Sequence, residues 1–382
     1  GLYIVEGYLL FQEENKQNRN NEDKIILYKK NTGKDYDTRT KSKIFSDLKK
    51  DDSNIFVSNI PSYFINYPNQ SILPFSGISN RKTIHCNENG YYSIYQSDRY
   101  GFNNPDEEWD KEEIEFLLVG DSFTHGACVN EPDTISGNLR SMLPEGNVLN
   151  LGQSGNGPLF EYATLREYLP IKKVKRVLIM YYEGNDLTNL ITELKHPILL
   201  KYFNDQNFTQ NLHLKQDQIN EKVYLKLLEQ EKKEYEKIKK NKRNKFTRYL
   251  ILTNLRILTI EKKAPPVISL LHFPKKEFKQ VLELSNFLSE NNGAKLYFIY
   301  LPRYKRYLDN NNNENFQNYK DVIDVVENLG IPIIDINKEL FEKQKEPLNL
   351  FPFEKSGPYN EIGYELVAKT IFDKIEKFER VN

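Results

Sequence analysis

The segment Gly120-Asp121-Ser122-Phe123-Thr124-His125-Gly126 follows the apolar run Ile114-Glu-Phe-Leu-Leu-Val119, and its serine is the residue with the clearest chemical meaning. A short apolar run that stops at glycine reads as a buried parallel strand feeding a turn. A serine just past such a strand stands at the carboxyl rim of an open sheet, where these sheets bind ligands, and it opens the next helix. Backbone N–H groups at a helix start can face a developing oxyanion. Two further turns supply candidate donors. Asn150-Leu-Gly-Gln-Ser-Gly-Asn-Gly-Pro158 follows a second apolar run, and its Gly152 can bring a backbone N–H close to a ligand. Glu183-Gly-Asn-Asp-Leu187 follows a third, with the Asn185 amide as donor. Donors converging from three consecutive strand ends on one serine suit acyl transfer, with Ser122 as nucleophile.

A serine hydroxyl needs a base to take its proton. The five histidines are His85, His125, His196, His213 and His272, and none lies near the C-terminus. His125 follows Ser122 by one helical turn, so it is a substitute base or a residue lining the pocket mouth. Glu354 and Glu361 are carboxylates that could approach Ser122. His85 beside Cys86 lacks a second pair at ligand spacing, so no metal site and no cofactor is expected.

The elements that must position these residues are legible as alternation. Apolar runs at 114–119, 147–152, 176–182, 295–301 and 331–335 read as strands, and 159–168, 276–290, 318–328 and 360–378 as helices. This predicts an α/β fold, a three-layer sandwich around a five-stranded parallel sheet. Residues 1–110 form a separate, loop-rich and partly β segment that wraps the main domain of 111–382. Within it, residues 12–53 read as exposed connections around one strand at Ile25–Tyr28. Between about 190 and 262 the alternation breaks. There Glu221–Lys242, rich in Lys and Glu with Leu, Tyr and Ile at helical spacing, predicts an exposed inserted helix, with a protein partner as its alternative use.

Lys+Arg and Asp+Glu are equal at 54 each, which argues against nucleic acid as partner. The two cysteines, Cys86 and Cys128, are too few for a disulfide scaffold, although a single bridge between them remains open. Gly1–Leu10 is apolar and reads either as the edge of a membrane anchor or signal segment or as an ordinary first element.

The three blocks, Gly120-Asp121-Ser122-Phe123, the turn with Gly152, and Gly184-Asn185-Asp186, resemble those of the SGNH (GDSL-type) hydrolases, in the right order and at strand ends. The resemblance covers about 113–190 and 290–378. Asp98–Pro105 also resembles the lead-in of membrane-anchored, extracytoplasmic bacterial members. The resemblance implies a flavodoxin-like sheet, Ser122 as nucleophile, and an oxyanion hole of the Ser122 N–H, the Gly152 N–H and the Asn185 amide. It further implies an esterase or O-acyltransferase acting on acyl, above all acetyl, esters of a carbohydrate. The sequence departs from the family at the base. Gly357, Tyr359, Asn360, Gly363 and Tyr364 keep the family's frame, but Pro358 stands where the catalytic histidine belongs and Lys355 where its aspartate partner belongs. The rival expectation is therefore a degenerate domain kept for carbohydrate binding or scaffolding.

Overall fold

The computed structural model describes residues 22–67, 70–250, 273–308, 317–355 and 357–381. The Gly1–Leu10 stretch, the Pro68-Asn69 turn and the last part of the expected insertion lie outside them. The chain divides into two compact units, 1–38 with 224–272, and 39–223 with 273–382. In the first, residues 22–32 are helical, with Lys29 paired to Asp35 at 2.8 Å. The strand expected at Ile25–Tyr28 is therefore part of a helix. A short apolar run carries no period, and its Lys- and Glu-rich flanks favour helix.

The second unit opens with a helix at Lys41–Leu48, again where exposed connections were expected, capped by the Thr40 side chain, which accepts from the Lys43 N–H. A small sheet follows, of β1 (Ile55–Val57), β2 (Lys82–Ile84) and β3 (Ile94–Gln96). The main sheet comprises β4 (Glu113–Gly120), β5 (Val148–Asn150), β6 (Lys173–Tyr182), β7 (Lys295–Leu301) and β8 (Ile333–Asp335). All its pairs are parallel, in the order β5-β4-β6-β7-β8. This is the flavodoxin-like 2-1-3-4-5 arrangement, whose ligand crevice lies at the carboxyl ends beside the first strand. Alternate residues of each strand face opposite helical layers. Phe116, Leu118, Leu178 and Met180 pack with Tyr364, Val367 and Ile371 of the last helix, Glu361–Val381.

The helices at Pro158–Tyr168, Lys275–Asn291 and Gln317–Asn328 lie where expected. A further helix, Ile135–Met142, joins β4 to β5 and is capped by Thr134, whose hydroxyl accepts from the Gly137 N–H at 3.0 Å. Between β6 and β7 come helices at Asp186–Glu193, Pro197–Asn204 and Gln216–Leu250, the last containing the expected inserted helix. None of the described helices is long and apolar enough to cross a membrane.

Residues 98–109 fasten the small sheet's side of the unit to the main sheet. The buried Asp98 carboxylate accepts from the Tyr100 and Phe102 N–H groups, Asn104 Nδ2 and Trp109 Nε1, at 2.7–2.9 Å. Asn104 bonds the backbone of Asn150 in β5 through both ends of its amide. Asn103 Nδ2 donates to the His125 carbonyl at 3.0 Å. Cys86 and Cys128 form a disulfide across 42 residues, tying the end of β2 to the loop after the Ser122 helix. Closing a loop of that length restricts the unfolded chain by about 4 kcal/mol. The double variant Cys86→Ser/Cys128→Ser is expected to lose roughly that much in urea unfolding, with an unchanged result counting against the loop-entropy account.

Candidate active site

Asp121 caps the short helix Ser122–His125, its Oδ1 accepting from the Phe123 N–H at 2.9 Å. The Ser122 hydroxyl, partly accessible, donates to Asp121 Oδ2 at 3.3 Å. Asp121 is wholly buried, and burial pushes its carboxyl up to about 7 against the opposing hydrogen bonds from Phe123 and Ser122. The serine thus has a carboxyl partner from its own turn.

Of the donors expected around it, Gly152 is placed differently. Its N–H donates to the Asn150 side chain at 2.8 Å, so it is already engaged. The glycine is needed there for packing, because a Cβ would come within 2.6 Å of Thr124 Cβ. In the same turn the N–H groups of Ser154 and Gly155 donate to no acceptor among the described residues, and Gly155 holds a φ of +83°, a region glycine adopts without strain. Asn185 is half-buried after β6, does not cap its own helix, and has an enclosed Oδ1 without a partner among the described residues. Turning that amide half a revolution would put its Nδ2 donors in the same place.

His125 is not at the pocket mouth. It is fully buried, with Nδ1 3.3 Å from Ser154 Oγ and Nε2 3.1 Å from the Tyr95 hydroxyl, and burial lowers it to about 3. Both nitrogens are engaged away from Ser122, so it is no substitute base. Its ring lies 4.1 Å from that of His85, which also contacts Ser154. Cys86 is held in the disulfide and offers no thiolate to a metal. Among the described residues no group of three or more His, Cys, Asp or Glu is arranged to hold a metal.

Among the described residues of the C-terminal loop no base is hydrogen-bonded to Ser122. Pro358 has no side chain able to take a proton, and Tyr359 beside it is buried, donating to the Pro302 carbonyl at 2.7 Å. Glu361 accepts from the Tyr91 hydroxyl at 2.6 Å, and Glu354 is exposed. Neither carboxylate is hydrogen-bonded to Ser122.

Sequence reasoning missed the buried acids behind the rim. Glu193 accepts from the N–H groups of Gly157, Leu159 and Phe160 at 2.6–3.3 Å, capping the helix after β5, and burial pushes it up to about 7. Glu161 is buried with neither oxygen partnered among the described residues. Burial first, then Asp121 and Glu193, push it well above the usual carboxylate range. Asp186 accepts from the Tyr182 N–H at 2.7 Å and is raised by burial and by Glu161.

These raised values fix a sign. Between about pH 4, where free carboxyls ionise, and about pH 7, the unfolded chain releases protons that the folded state keeps. Stability is therefore expected to fall as pH rises through that window. His85 and His125, both lowered by burial, oppose the trend up to the ordinary imidazole value near 6.5 and are outnumbered by the four raised acids. Thermal unfolding should give a melting temperature several degrees higher at pH 5.5 than at pH 7.5. A higher value at pH 7.5 would show that these acids are ionised in the fold.

Ser122 follows β4, the 152–155 turn follows β5, and Asn185 follows β6, so the three shared blocks meet at the sheet's carboxyl edge. The sheet is of the flavodoxin-like kind that the resemblance implies. No family model matches the chain, and no curated protein matches it. Among solved structures it is similar to a member of the lipolytic G-D-S-L family from Veillonella parvula, at 13% identity, over 68% of this chain and 97% of that one, with a TM-score of 0.36. It is also similar to the psychrotrophic esterase EstA from a Pseudoalteromonas species, at 12% identity, over 71% and 100%, with a TM-score of 0.33. Values this low leave the chemistry to the residues themselves.

Proposed function

We propose that the protein is a serine-dependent ester hydrolase or O-acyltransferase in which Asp121 replaces the missing histidine. The observation that carries this reading is the Ser122 Oγ–H···Asp121 Oδ2 hydrogen bond, at 3.3 Å, to a carboxyl raised to about 7. A base with that pKa is matched to work near neutrality. Ser122 Oγ attacks the ester carbonyl carbon while its proton passes to Asp121. Collapse of the tetrahedral intermediate breaks the bond to the alcohol, which leaves with that proton. Water or a sugar hydroxyl then attacks the acyl-enzyme while Asp121 takes its proton, and collapse of this second tetrahedral intermediate breaks the Ser122 Oγ–acyl bond, with the proton returning from Asp121 to Ser122 Oγ. The oxyanion is held by the Asn185 amide and by turn N–H groups, of which those of Ser154 and Gly155 are unengaged among the described residues whereas that of Gly152 already donates to Asn150. An acyl ester of a carbohydrate, acetyl being the simplest case, remains the proposed substrate, and an extracytoplasmic location suits the Cys86–Cys128 bridge.

Pro358 favours a second reading, a pocket kept for carbohydrate binding without turnover. Hydrolysis of p-nitrophenyl acetate by the wild type and by Ser122→Ala separates the two. The wild type is expected to exceed the alanine variant clearly, by about 10²-fold or more. Equal rates would leave the binding reading.

A further inference from the structure

We propose that Arg303 recognises an anionic group on the ester, so that the substrate carries a carboxylate or similar anion. This rests on the reading of Ser122 as nucleophile and adds the substrate's charge.

Arg303 lies two residues past the end of β7, at the same carboxyl edge of the sheet as Ser122 and Asn185. Tyr182, which faces Leu301 in the β6–β7 pair two residues before Arg303, links this edge to the serine's turn. The ring of Phe123, next to Ser122, stacks on Tyr182 with centroids 4.0 Å apart. The Tyr182 ring lies against Gly184, immediately before Asn185. Burial raises the Tyr182 phenol, Asp121 adds to that, and Arg303 opposes it.

What sets Arg303 apart is how its surroundings are spent. Glu183 is the carboxylate at hand, but it accepts from the Arg306 Nε at 3.1 Å and from the Tyr300 hydroxyl at 2.6 Å. To Arg303 it offers an acceptor only for the backbone N–H, at 2.8 Å. The Arg303 side chain is half-buried, its Nε is enclosed, and no described residue accepts a hydrogen bond from it or pairs with it. An enclosed guanidinium donor without an acceptor is costly, and an arriving anion removes that cost while gaining planar, paired hydrogen bonds. Lys355, where the family has an aspartate, adds a second cation nearby. Tyr304 follows Arg303 and donates to the Glu354 carbonyl at 3.2 Å, and its phenol, raised by burial, is opposed by Lys355.

The anion could sit on the acyl group or on the alcohol, and substrates separate the two. The kcat/KM for p-nitrophenyl hemisuccinate (acyl side) and for para-acetoxybenzoate (alcohol side) would be measured relative to that for p-nitrophenyl acetate. This would be done in the wild type, Arg303→Lys and Arg303→Gln. For at least one anionic ester, the preference over the neutral ester should fall about ten- to hundredfold in Arg303→Gln, mainly through KM, and by less in Arg303→Lys. Equal preference in the wild type and Arg303→Gln overturns the assignment. Should the wild type turn over none of the esters, the catalytic reading fails. The anion site is then read by succinate titration in heteronuclear NMR: binding that Arg303→Gln weakens tenfold or more sustains it, and no binding by the wild type overturns it.

Discussion

Asp121→Asn is expected to lower kcat/KM on p-nitrophenyl acetate by about 10²- to 10⁴-fold, the usual worth of a positioned general base. Asparagine caps a helix about as well as aspartate and keeps an oxygen for the Phe123 N–H, so the turn should survive the change. What it cannot do is take the Ser122 proton. The wild-type rate should also rise with pH through about 7, as the buried Asp121 carboxyl ionises. That limb should vanish in the variant. An asparagine variant with near wild-type rate and the same profile would remove Asp121 from the chemistry. Activity and stability then run in opposite directions over one pH interval, because ionisation of the acids behind the rim weakens the fold while that of Asp121 arms the serine.

Asp98→Ala is expected to cost about 4 kcal/mol or more in stability, measured by urea unfolding. The substitution strands the Trp109 Nε1, the Asn104 Nδ2 and two backbone N–H groups, each a buried donor worth about 1–3 kcal/mol when left unmade. A loss below about 1 kcal/mol would show that water replaces the carboxylate. The damage should reach the site, because Asn104 holds β5 and Asn103 holds the His125 carbonyl, so residual folded protein should bind and turn over ester less well.

The strands were legible because a sheet covered on both faces demands continuous apolar runs. The run 295–301 coincides with β7, and the others lie within three residues of their strands. The helix Ile135–Met142 was not, since Gly137 and several polar residues blur its period, although Thr134 as a cap and Ile135 with Leu139 would have marked it. At the site, the placement of Ser122 and Asn185 at strand ends followed from motif order. The fate of the Gly152 N–H did not, even though an asparagine two residues earlier commonly accepts from such an N–H. The partners of His125 are beyond local reading, because Tyr95 and Ser154 lie about thirty residues away on either side. The same holds for Glu161 and Glu193, whose burial depends on which helices the sheet brings together.

Thr124 sits so tightly against Gly120 and Gly152 that a single added carbon at either glycine collides with it. A side chain at either glycine must displace the turn on which Ser122 stands. The three residues Gly120, Thr124 and Gly152 thus cannot drift one at a time, and the architecture around the serine is inherited as a whole or lost.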